Sequence, residues 1–291
     1  MIAFDEYSPL RRVLLCRPEQ AFGSDDQVAR EWSSLNFTAP PDRARAAAQH
    51  AALATLLRAA GAAVDCLEGS DDLTLDAVYV RDASLVTPAG LVPCRMGKPT
   101  REAEPAAQQR AFEALGLPVL DAIAPPGRIE GGDVVWFDAR TVAVGRGYRT
   151  NDDGIRQFRQ RLGPEVEVIV VPLPHYRGPG DVFHLMSVLS PVDRDLAVVY
   201  SPLMPVPFRE WLLARGIALV EVPDDEFDSM GANVLALGPR HAVMVDGNPR
   251  TRAGLEAAGA RVEVYEGSEI SLKGGGGPTC LTRPLVRGDA A

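Results

Sequence analysis

The sequence predicts an α/β fold in which units of strand, strand, helix and strand follow one another and close into a ring. Apolar strand-like runs alternate with amphipathic helical runs along the whole chain. The four-element order recurs with a spacing of roughly fifty to sixty residues, which is typical of repeat architectures. The two chain ends together supply one further unit, and a ring closed in this way exposes no sheet edge. Since no linker-like stretch divides the chain, we expect a single domain over residues 1–291.

Five helices are predicted from helical spacing of apolar residues and from glycine at the carboxyl end. The first covers residues 41–60, is rich in alanine and stops at Gly61; we expect His50 to lie on its exposed surface. The other four are predicted over 102–116, 151–163, 207–216 and 249–259.

Strands are predicted in pairs around a turn, and a single strand follows each helix. The paired strands are expected within 76–96, 133–146, 184–202 and 232–247. The single strands are expected at 62–69, 117–122, 165–173, 217–222 and 261–266.

The composition limits what the chain binds. It has 291 residues, of which 46% are hydrophobic and 24% charged, enough for a sizeable core. A net charge of -9 disfavours nucleic acid and anionic membranes, and it suits a small cationic substrate. The amino-terminal stretch starts with acidic residues and has only a short apolar run, so it resembles neither a signal peptide nor a membrane span. We therefore expect a cytoplasmic protein.

Cysteine and histidine spacing gives no support for a metal site or another cofactor. The four cysteines form no CxxC pair, and three of them, Cys16, Cys66 and Cys94, lie in apolar runs as small core residues would. The four histidines lack the spacing that places two on one helix face. Cys280 is different, because it follows four glycines.

The segment "KGGGGPTC" at 273–280 needs an explanation. One reading is a flexible tail in which the cysteine is incidental. Pro278 and the patterned "CLTRPLVR" that follows argue against that reading. Glycine serves backbone that needs positive φ or close approach to another group, so the run predicts a crowded turn around Cys280.

Three more polar residues occur at predicted strands. Glu130 precedes two glycines that open a strand, although a solvated glutamate in a glycine turn would look the same. His184 lies in a predicted apolar strand, where a core histidine bonded to a carbonyl is the simpler reading. Asp82 also lies in a predicted strand, and a buried carboxylate requires a cation or hydrogen-bond donors.

Taken together, these residues resemble the guanidino-group-modifying enzymes, the family of arginine deiminases, amidinotransferases and dimethylarginine dimethylaminohydrolases. The resemblance covers essentially the whole chain. It rests on six motifs in order: "YVRD", "PTREAE", "EGGDV", "GYRTN", "FHL" and "GGGGPTC". It implies the pentein fold, a five-bladed ββαβ propeller with pseudo-fivefold symmetry.

The resemblance also implies roles for the reacting groups. Cys280 matches the nucleophile and His184 the general acid and base, while Glu130 and Asp82 match the carboxylates that hold the guanidinium. The implied reaction attacks the guanidinium carbon, passes through a thiouronium on Cys280 and gives citrulline and a small amine.

Three further matches concern the rest of a small cationic guanidino substrate. Asp76 matches the acid that helps to hold the substrate α-amino group. Arg101 and Arg149 match the arginines around the substrate carboxylate. A homodimer is compatible with the sequence.

Relatives differ in the groups beside the guanidinium. Deiminases and amidinotransferases carry an acid two residues after the histidine, whereas this chain has Met186, which favours a methylated arginine. Arg81 and the glycine run look more like deiminases. An amidinotransferase stays an alternative. A non-catalytic propeller that binds a partner is another, but it should lack the Cys, His and acid set.

Overall fold

The structure is a computed structural model that describes residues 2–180 and 183–288. Within that part of the chain, fifteen β-strands and eight α-helices form an α/β fold with five small sheets.

The first sheet joins the two ends of the chain. Its strand order is β1, β15, β2, β3, and β15 lies antiparallel to both β1 and β2. Strands β2 and β3 are parallel and are connected through helix α3. The bounds are β1 (Ile2–Ala3), β2 (Leu10–Leu15), α3 (Arg43–Ala59), β3 (Ala63–Cys66) and β15 (Arg283–Gly288). The short helices α1 (Pro18–Ala21) and α2 (Asp25–Glu31) lie between β2 and α3.

The remaining four sheets follow in chain order. The second has β4 (Ser84–Thr87) and β5 (Gly90–Pro93), followed by α4 (Glu104–Ala114). The third has β6 (Val134–Asp138), β7 (Thr141–Arg146), α5 (Asp152–Leu162) and β8 (Glu167–Pro172). The fourth has β9 (Leu189–Asp193), β10 (Leu196–Val199), α6 (Val206–Ala214) and β11 (Ala218–Glu221), with α7 (Asp224–Phe227) after it. The fifth has β12 (Leu235–Gly238), β13 (His241–Val245), α8 (Pro249–Ala257) and β14 (Arg261–Tyr265).

Each sheet repeats one pattern. A first strand pairs antiparallel with a second strand, which in four sheets pairs parallel with a third strand across a helix. In the four larger sheets the second strand is central and mostly buried, as in β10, whereas the third strand is partly exposed, as in β8 and β11. A strand covered on both faces appears in the sequence as a nearly continuous apolar run, which makes the buried second strands the easiest ones to predict.

The second sheet departs from the prediction, because no third strand forms over residues 117–122. A single parallel bridge between Leu91 and Val119 takes its place. Pro118 lies in this segment and has no N–H to donate, so a ladder cannot extend through it.

Helix α3 corrects the expectation for His50. The side chain is buried rather than exposed, on the face that also carries Ala46 and Leu53. Burial lowers the pKa of His50 to about 4. The carboxyl end is as predicted, with Gly61 at positive φ beyond the last turn. At the amino end, the side chain of Asp42 caps the first turn by accepting from the N–H of Arg45.

The core lies between successive sheets. One apolar cluster joins the second and third sheets, another the third and fourth, and another the fourth and fifth. The largest cluster includes residues from the first, second and fifth sheets, among them Leu14, Leu91 and Val243. Among the described residues, no helix is long and apolar enough to cross a membrane.

Candidate active site

Five turns converge on the site, and each directly precedes the first strand of a sheet. They carry Asp82 before β4, Glu130 before β6, His184 before β9, Asn233 before β12 and Cys280 before β15. The repeat of the fold therefore delivers one polar side chain from each unit to the same region.

Two of these residues were predicted in strands, and that was wrong. Asp82 lies in a turn, and His184 is the N-cap of a 3-10 turn at Leu185–Ser187. In both turns the polar side chain comes before the strand begins, so the carboxylate and imidazole face the site instead of a sheet neighbour. Asp181 and Val182, which come shortly before His184, lie outside the described residues.

The glycine run forms the turn that holds Cys280. Gly275 has φ of +74°, which an L side chain rarely adopts. A Cβ on Gly276 would lie 2.5 Å from Cε1 of Tyr79 and 3.0 Å from Cβ of Cys280. The predicted close approach is therefore present, and Cys280 is half-buried in a patterned turn rather than in a floppy tail.

Glu130 is fully buried and bridges three groups. Its Oε2 lies 2.7 Å from Nε2 of His184 and accepts from Nη1 of Arg149 at 3.2 Å. Its Oε1 accepts from the backbone N–H of Gly97 at 2.7 Å. Burial raises the pKa of Glu130, but the contacts with His184 and Arg149 outweigh burial and hold it at about 2. The carboxylate stays ionised at neutral pH.

His184 is surrounded by acids. Burial alone would lower its pKa, but Asp82, Asp133 and Glu130 together raise the pKa to about 9. Nδ1 of His184 lies 3.8 Å from Oδ1 of Asp82, opposite the bond to Glu130. Asp133 fixes the backbone after the histidine by accepting from the N–H of Leu185 at 3.0 Å. The imidazole is thus cationic at neutral pH and can act as an acid.

Asp82 is held by an arginine and by backbone. Nη1 of Arg101 donates to its Oδ2 at 2.6 Å, and the N–H of Gly132 donates to its Oδ1 at 3.0 Å. Arg101 also donates to both carboxylate oxygens of Glu104 at 2.7 Å and to the carbonyl of Tyr79 at 2.8 Å. All three guanidinium nitrogens of Arg101 therefore have protein partners, whereas Arg149 is bonded only through Nη1 within the described part of the chain.

Asp76 forms an ion pair with Lys98. The Nζ of Lys98 lies 2.5 Å from Oδ2 of Asp76 and donates to the carbonyl of Leu35 at 3.1 Å. Both side chains line the same small pocket as Cys280 and Arg149. The ammonium group of Lys98 thus pairs with the carboxylate that the family resemblance matches to the substrate α-amino group.

The surroundings of the Cys280 thiol favour its protonated form. Burial and then the charge of Asp82 raise its pKa above the ordinary value, while hydrogen bonds with Asn233 and Thr279 act in the opposite direction. Nδ2 of Asn233 donates to Sγ at 3.3 Å. A cation placed beside Asp82 would neutralise that carboxylate and favour the thiolate.

A cavity of about 550 Å³ leads to these groups. His184 and Cys280 lie on its wall, and a narrower pocket of about 20 Å³ continues past them toward Asp82 and Arg149. The buried thioether of Met186 lines the large cavity. Further apolar side chains on that wall are Phe183, Phe227 and Met230.

Asp82, Glu130 and His184 also bring three ligand atoms within 4.8 Å of one another, a geometry that could hold a metal ion. Arg101 and Arg149 are already bonded to the two carboxylates, so the acids have their counter-charges from the protein. Each carboxylate has further lone pairs beside these bonds, so an organic cation could share both acids with the two arginines.

Comparison with known families decides the assignment. The family model described as "N,N dimethylarginine dimethylhydrolase, eukaryotic" matches residues 18–287. The chain belongs to this family.

Several curated proteins are similar in sequence to this dimethylargininase-family chain over much of its length. Protein YkgA of Bacillus subtilis is 30% identical over 98% of this chain and 94% of its own. The N(G),N(G)-dimethylarginine dimethylaminohydrolase of Streptomyces coelicolor is 32% identical over 60% of this chain and 62% of its own. An arginine deiminase of Mycobacterium marinum is 30% identical over 62% of this chain and 49% of its own.

Solved structures share the fold. The dimethylarginine dimethylaminohydrolase of Pseudomonas aeruginosa, a cysteine-to-serine mutant in complex with citrulline, is 23% identical, with a TM-score of 0.75 over 96% of this chain and 99% of its own. The N-terminal domain of ArgZ, an arginine dihydrolase from Cyanobacteria, is 22% identical, with a TM-score of 0.81 over 95% of this chain and 98% of its own. The chain is an amidine hydrolase with the fold of these pentein enzymes.

Sequence reasoning on this dimethylargininase-family chain missed three residues of the site. Asn233 could have been found from the repeat, because it precedes a first strand as the other four site residues do. Lys98 lies three residues before Arg101 in a loop, where a lysine is usually a solvated charge. Asp133 follows the glycine pair, and its role depends on the distant turn of His184, which sequence spacing does not report.

Proposed function

We propose that the chain hydrolyses the guanidinium of an N-methylated arginine, giving citrulline and a methylated amine through a thiouronium on Cys280. The observation that carries this proposal is Met186, which lines the cavity shared by His184 and Cys280. An apolar side chain there accepts N-methyl groups and offers no acceptor to an unmethylated guanidinium nitrogen.

In this proposal the substrate guanidinium lies between the carboxylates of Asp82 and Glu130. Carboxylates hold the planar cation by paired hydrogen bonds and turn its carbon toward Cys280. The substrate charge offsets that of Asp82, which otherwise raises the pKa of the Cys280 thiol. The site therefore forms the thiolate when a cation is present, and the unoccupied enzyme keeps a protonated and less reactive cysteine.

The covalent steps follow from the proton that His184 carries. The thiolate attacks the guanidinium carbon and forms a C–S bond. His184 gives its proton to the methylated nitrogen, and the C–N bond to that amine breaks. The neutral imidazole then takes a proton from water, which attacks the same carbon, and the C–S bond breaks to release citrulline and the thiol. The raised pKa of His184 supports the first proton transfer.

The amino-acid end of the substrate is proposed to bind beside Arg149 and Asp76, where the small pocket of about 20 Å³ must widen to admit it. Arg149 is the stronger candidate for binding the substrate carboxylate. Its Nη1 is bonded to Glu130, whereas its Nε and Nη2 have no hydrogen-bond partner among the described residues. Arg101, which is bonded through all three nitrogens, would act mainly by holding Asp82. Asp76 would bind the α-amino group of the substrate in place of the Lys98 ammonium with which it is now paired.

We further propose that the five sheets form a closed five-bladed propeller that folds as one domain. Pairing of β15 with β1 and β2 supports closure, as does the apolar cluster shared by the first and fifth sheets. The site then lies where the five turns meet.

Arginine itself is the second candidate substrate. The similarity to arginine deiminases favours it. The two candidates differ in the amine released, which is ammonia in one case and a methylated amine in the other.

The test is steady-state kinetics with product identification by mass spectrometry on asymmetric dimethylarginine, monomethylarginine, arginine and agmatine. We expect citrulline and dimethylamine from the dimethylated substrate, with kcat/KM at least about tenfold above that for arginine, since 1.4 kcal/mol is one decade. A preference for arginine would move the assignment to a deiminase.

A further inference from the structure

Three buried arginines line a second cavity that the proposed reaction does not use. Arg81, Arg283 and Arg287 are each at most 5% exposed. They surround a cavity of about 40 Å³ that is bounded by the first strands β4, β6 and β15. Arg81 also lines the large active-site cavity.

The arginines of this second cavity are incompletely bonded. Arg81 donates to the carbonyl of Thr279 and to Glu6, Arg283 to the carbonyl of Ser84, and Arg287 to the carbonyl of Ser8. Four buried nitrogens have no partner among the described residues: Nη2 of Arg81, Nε of Arg283, and Nε and Nη2 of Arg287. Buried donors without acceptors are rare and costly, so their number here points to an acceptor that the protein does not supply.

The charge around the second cavity is also unbalanced. Among the described residues that line it, three guanidinium groups face two carboxylates, those of Glu6 and Asp5. Asp5 is largely committed to its own turn, where its oxygens accept from the N–H groups of Tyr7 and Ser8 and from the Ser8 hydroxyl. Burial lowers the pKa of Arg283 and of Arg287, and the charge of Arg81 adds to that effect. Water could fill the space but would leave the excess charge uncompensated.

We propose that this cavity is a binding site for one small monovalent anion of the halide class, held by Arg81, Arg283 and Arg287. The single excess positive charge matches a monovalent anion. The volume exceeds the roughly 10–15 Å³ that one water needs. The site lies directly behind the reactive turn, because the N–H of Arg81 donates to the carbonyl of Cys280 at 3.1 Å.

Bromide gives the direct test. Crystals of the full chain soaked in sodium bromide should show an anomalous peak in the cavity, in contact with the three guanidinium groups. In solution, the melting temperature should rise by about 2–4 °C for each tenfold increase of chloride above its Kd, at constant ionic strength set with gluconate.

Variants assign the effect to the cavity. Arg283→Met should abolish the chloride-dependent rise, and Arg287→Met is the second choice if that variant does not fold. Arg209→Met removes an exposed arginine paired with Glu221 and should keep the full rise.

The absence of a bromide peak, or equal melting temperatures of the wild type in chloride and gluconate, would overturn the proposal. A bromide peak without any chloride-dependent melting temperature would do so too, because it would mean binding at crystal concentration only. A rise that occurs with sulfate and not with chloride would contradict the halide class.

Discussion

At the scale of single residues, Glu130 is one of three acids that set the charge of His184. Its carboxylate contacts the imidazole of His184, the guanidinium of Arg149 and the backbone of Gly97. The pKa of His184 is raised to about 9 against the burial effect, by Asp82, Asp133 and Glu130. Because the pKa of His184 is higher in the folded than in the unfolded state, protonation of His184 stabilises the folded state. This contribution to stability is complete below about pH 6.5 and is lost as the pH rises toward 9.

Glu130→Gln should lower the titration midpoint of His184 from about 9 toward 6.5, because one of its three acids becomes neutral. The variant should also lose part of the decline in thermal stability that the wild type shows between pH 6.5 and 9. NMR titration of the imidazole C–H signals measures the midpoint. Glu263→Gln, which removes a carboxylate beside His241, is the control and should leave the His184 midpoint unchanged. An unchanged midpoint in Glu130→Gln would show that the hydrogen bond to Glu130 does not hold the proton.

Met186 sets the expected substrate preference. Burying two methyl groups is worth roughly 0.8 kcal/mol each, so the apolar wall should favour dimethylarginine. Met186→Asp should narrow or reverse the ratio of kcat/KM values for dimethylarginine and arginine, by restoring an acceptor for the unmethylated nitrogen. Met186→Leu is the matched control and should keep the ratio. A ratio that stays constant in Met186→Asp would remove Met186 from the specificity of the site.

The sequence was informative about residues whose chemistry is hard to explain otherwise. Cys280 follows four glycines, and Glu130 precedes two, so each predicts a backbone in close contact. The structure brings both together with His184 and Asp82. The surroundings of Asp76 were not predictable, because Lys98 reaches it across 22 positions of the chain and its loop has no periodic pattern.

At the scale of elements, the turn of the glycine run determines the position of the thiol. Gly276→Ala should lower kcat by at least about tenfold, roughly 1.4 kcal/mol, because the added Cβ must displace Tyr79 or Cys280. Gly216→Ala is a control for a glycine substitution outside the site. That glycine follows α6, has φ of +74° and no atom within 4 Å of the added Cβ, so the change should cost about 1 kcal/mol of stability and leave kcat unchanged. Equal kcat in both variants would exclude a positional role for Gly276.

Elements with strong local signals were predictable, and those set by tertiary context were not. Helix α5 has an asparagine cap at Asn151 and a glycine beyond its end, and it forms within one residue of the predicted bounds at each side. The turns that carry Asp82 and His184 read as strand, because their apolar residues are buried like those of a strand. Burial on all sides removes the alternation that would separate the two structures.

At the scale of the whole molecule, the proposed ring makes the two chain ends neighbours. Ile2 pairs with Gly288 in the first sheet, so a short linker can join these two positions. A circular permutant with its ends joined in this way and opened at Gly216 should stay folded and keep kcat within about threefold, a difference of roughly 0.7 kcal/mol.

A linear chain ending at residue 282 is the comparison for this permutant. It lacks β15, the strand between β1 and β2, and should lose cooperative thermal unfolding. Calorimetry and kinetics measure both proteins. An unfolded permutant, or a truncated chain as stable as the full one, would contradict closure through the first sheet.

The most direct test of the proposed mechanism is the covalent intermediate on Cys280. Turnover of dimethylarginine is stopped with acid on the millisecond scale, and intact-protein and peptide mass spectrometry locate any added mass. We predict a transient adduct on the peptide that contains Cys280, the thiouronium that keeps the amidino carbon and the amino-acid part of the substrate after loss of dimethylamine. We also predict that Cys280→Ser, folded as judged by its melting temperature, forms no adduct and keeps less than about 1% of the activity, a loss above roughly 2.7 kcal/mol. Turnover by Cys280→Ser above that level, or an adduct on another residue, would contradict the proposed mechanism.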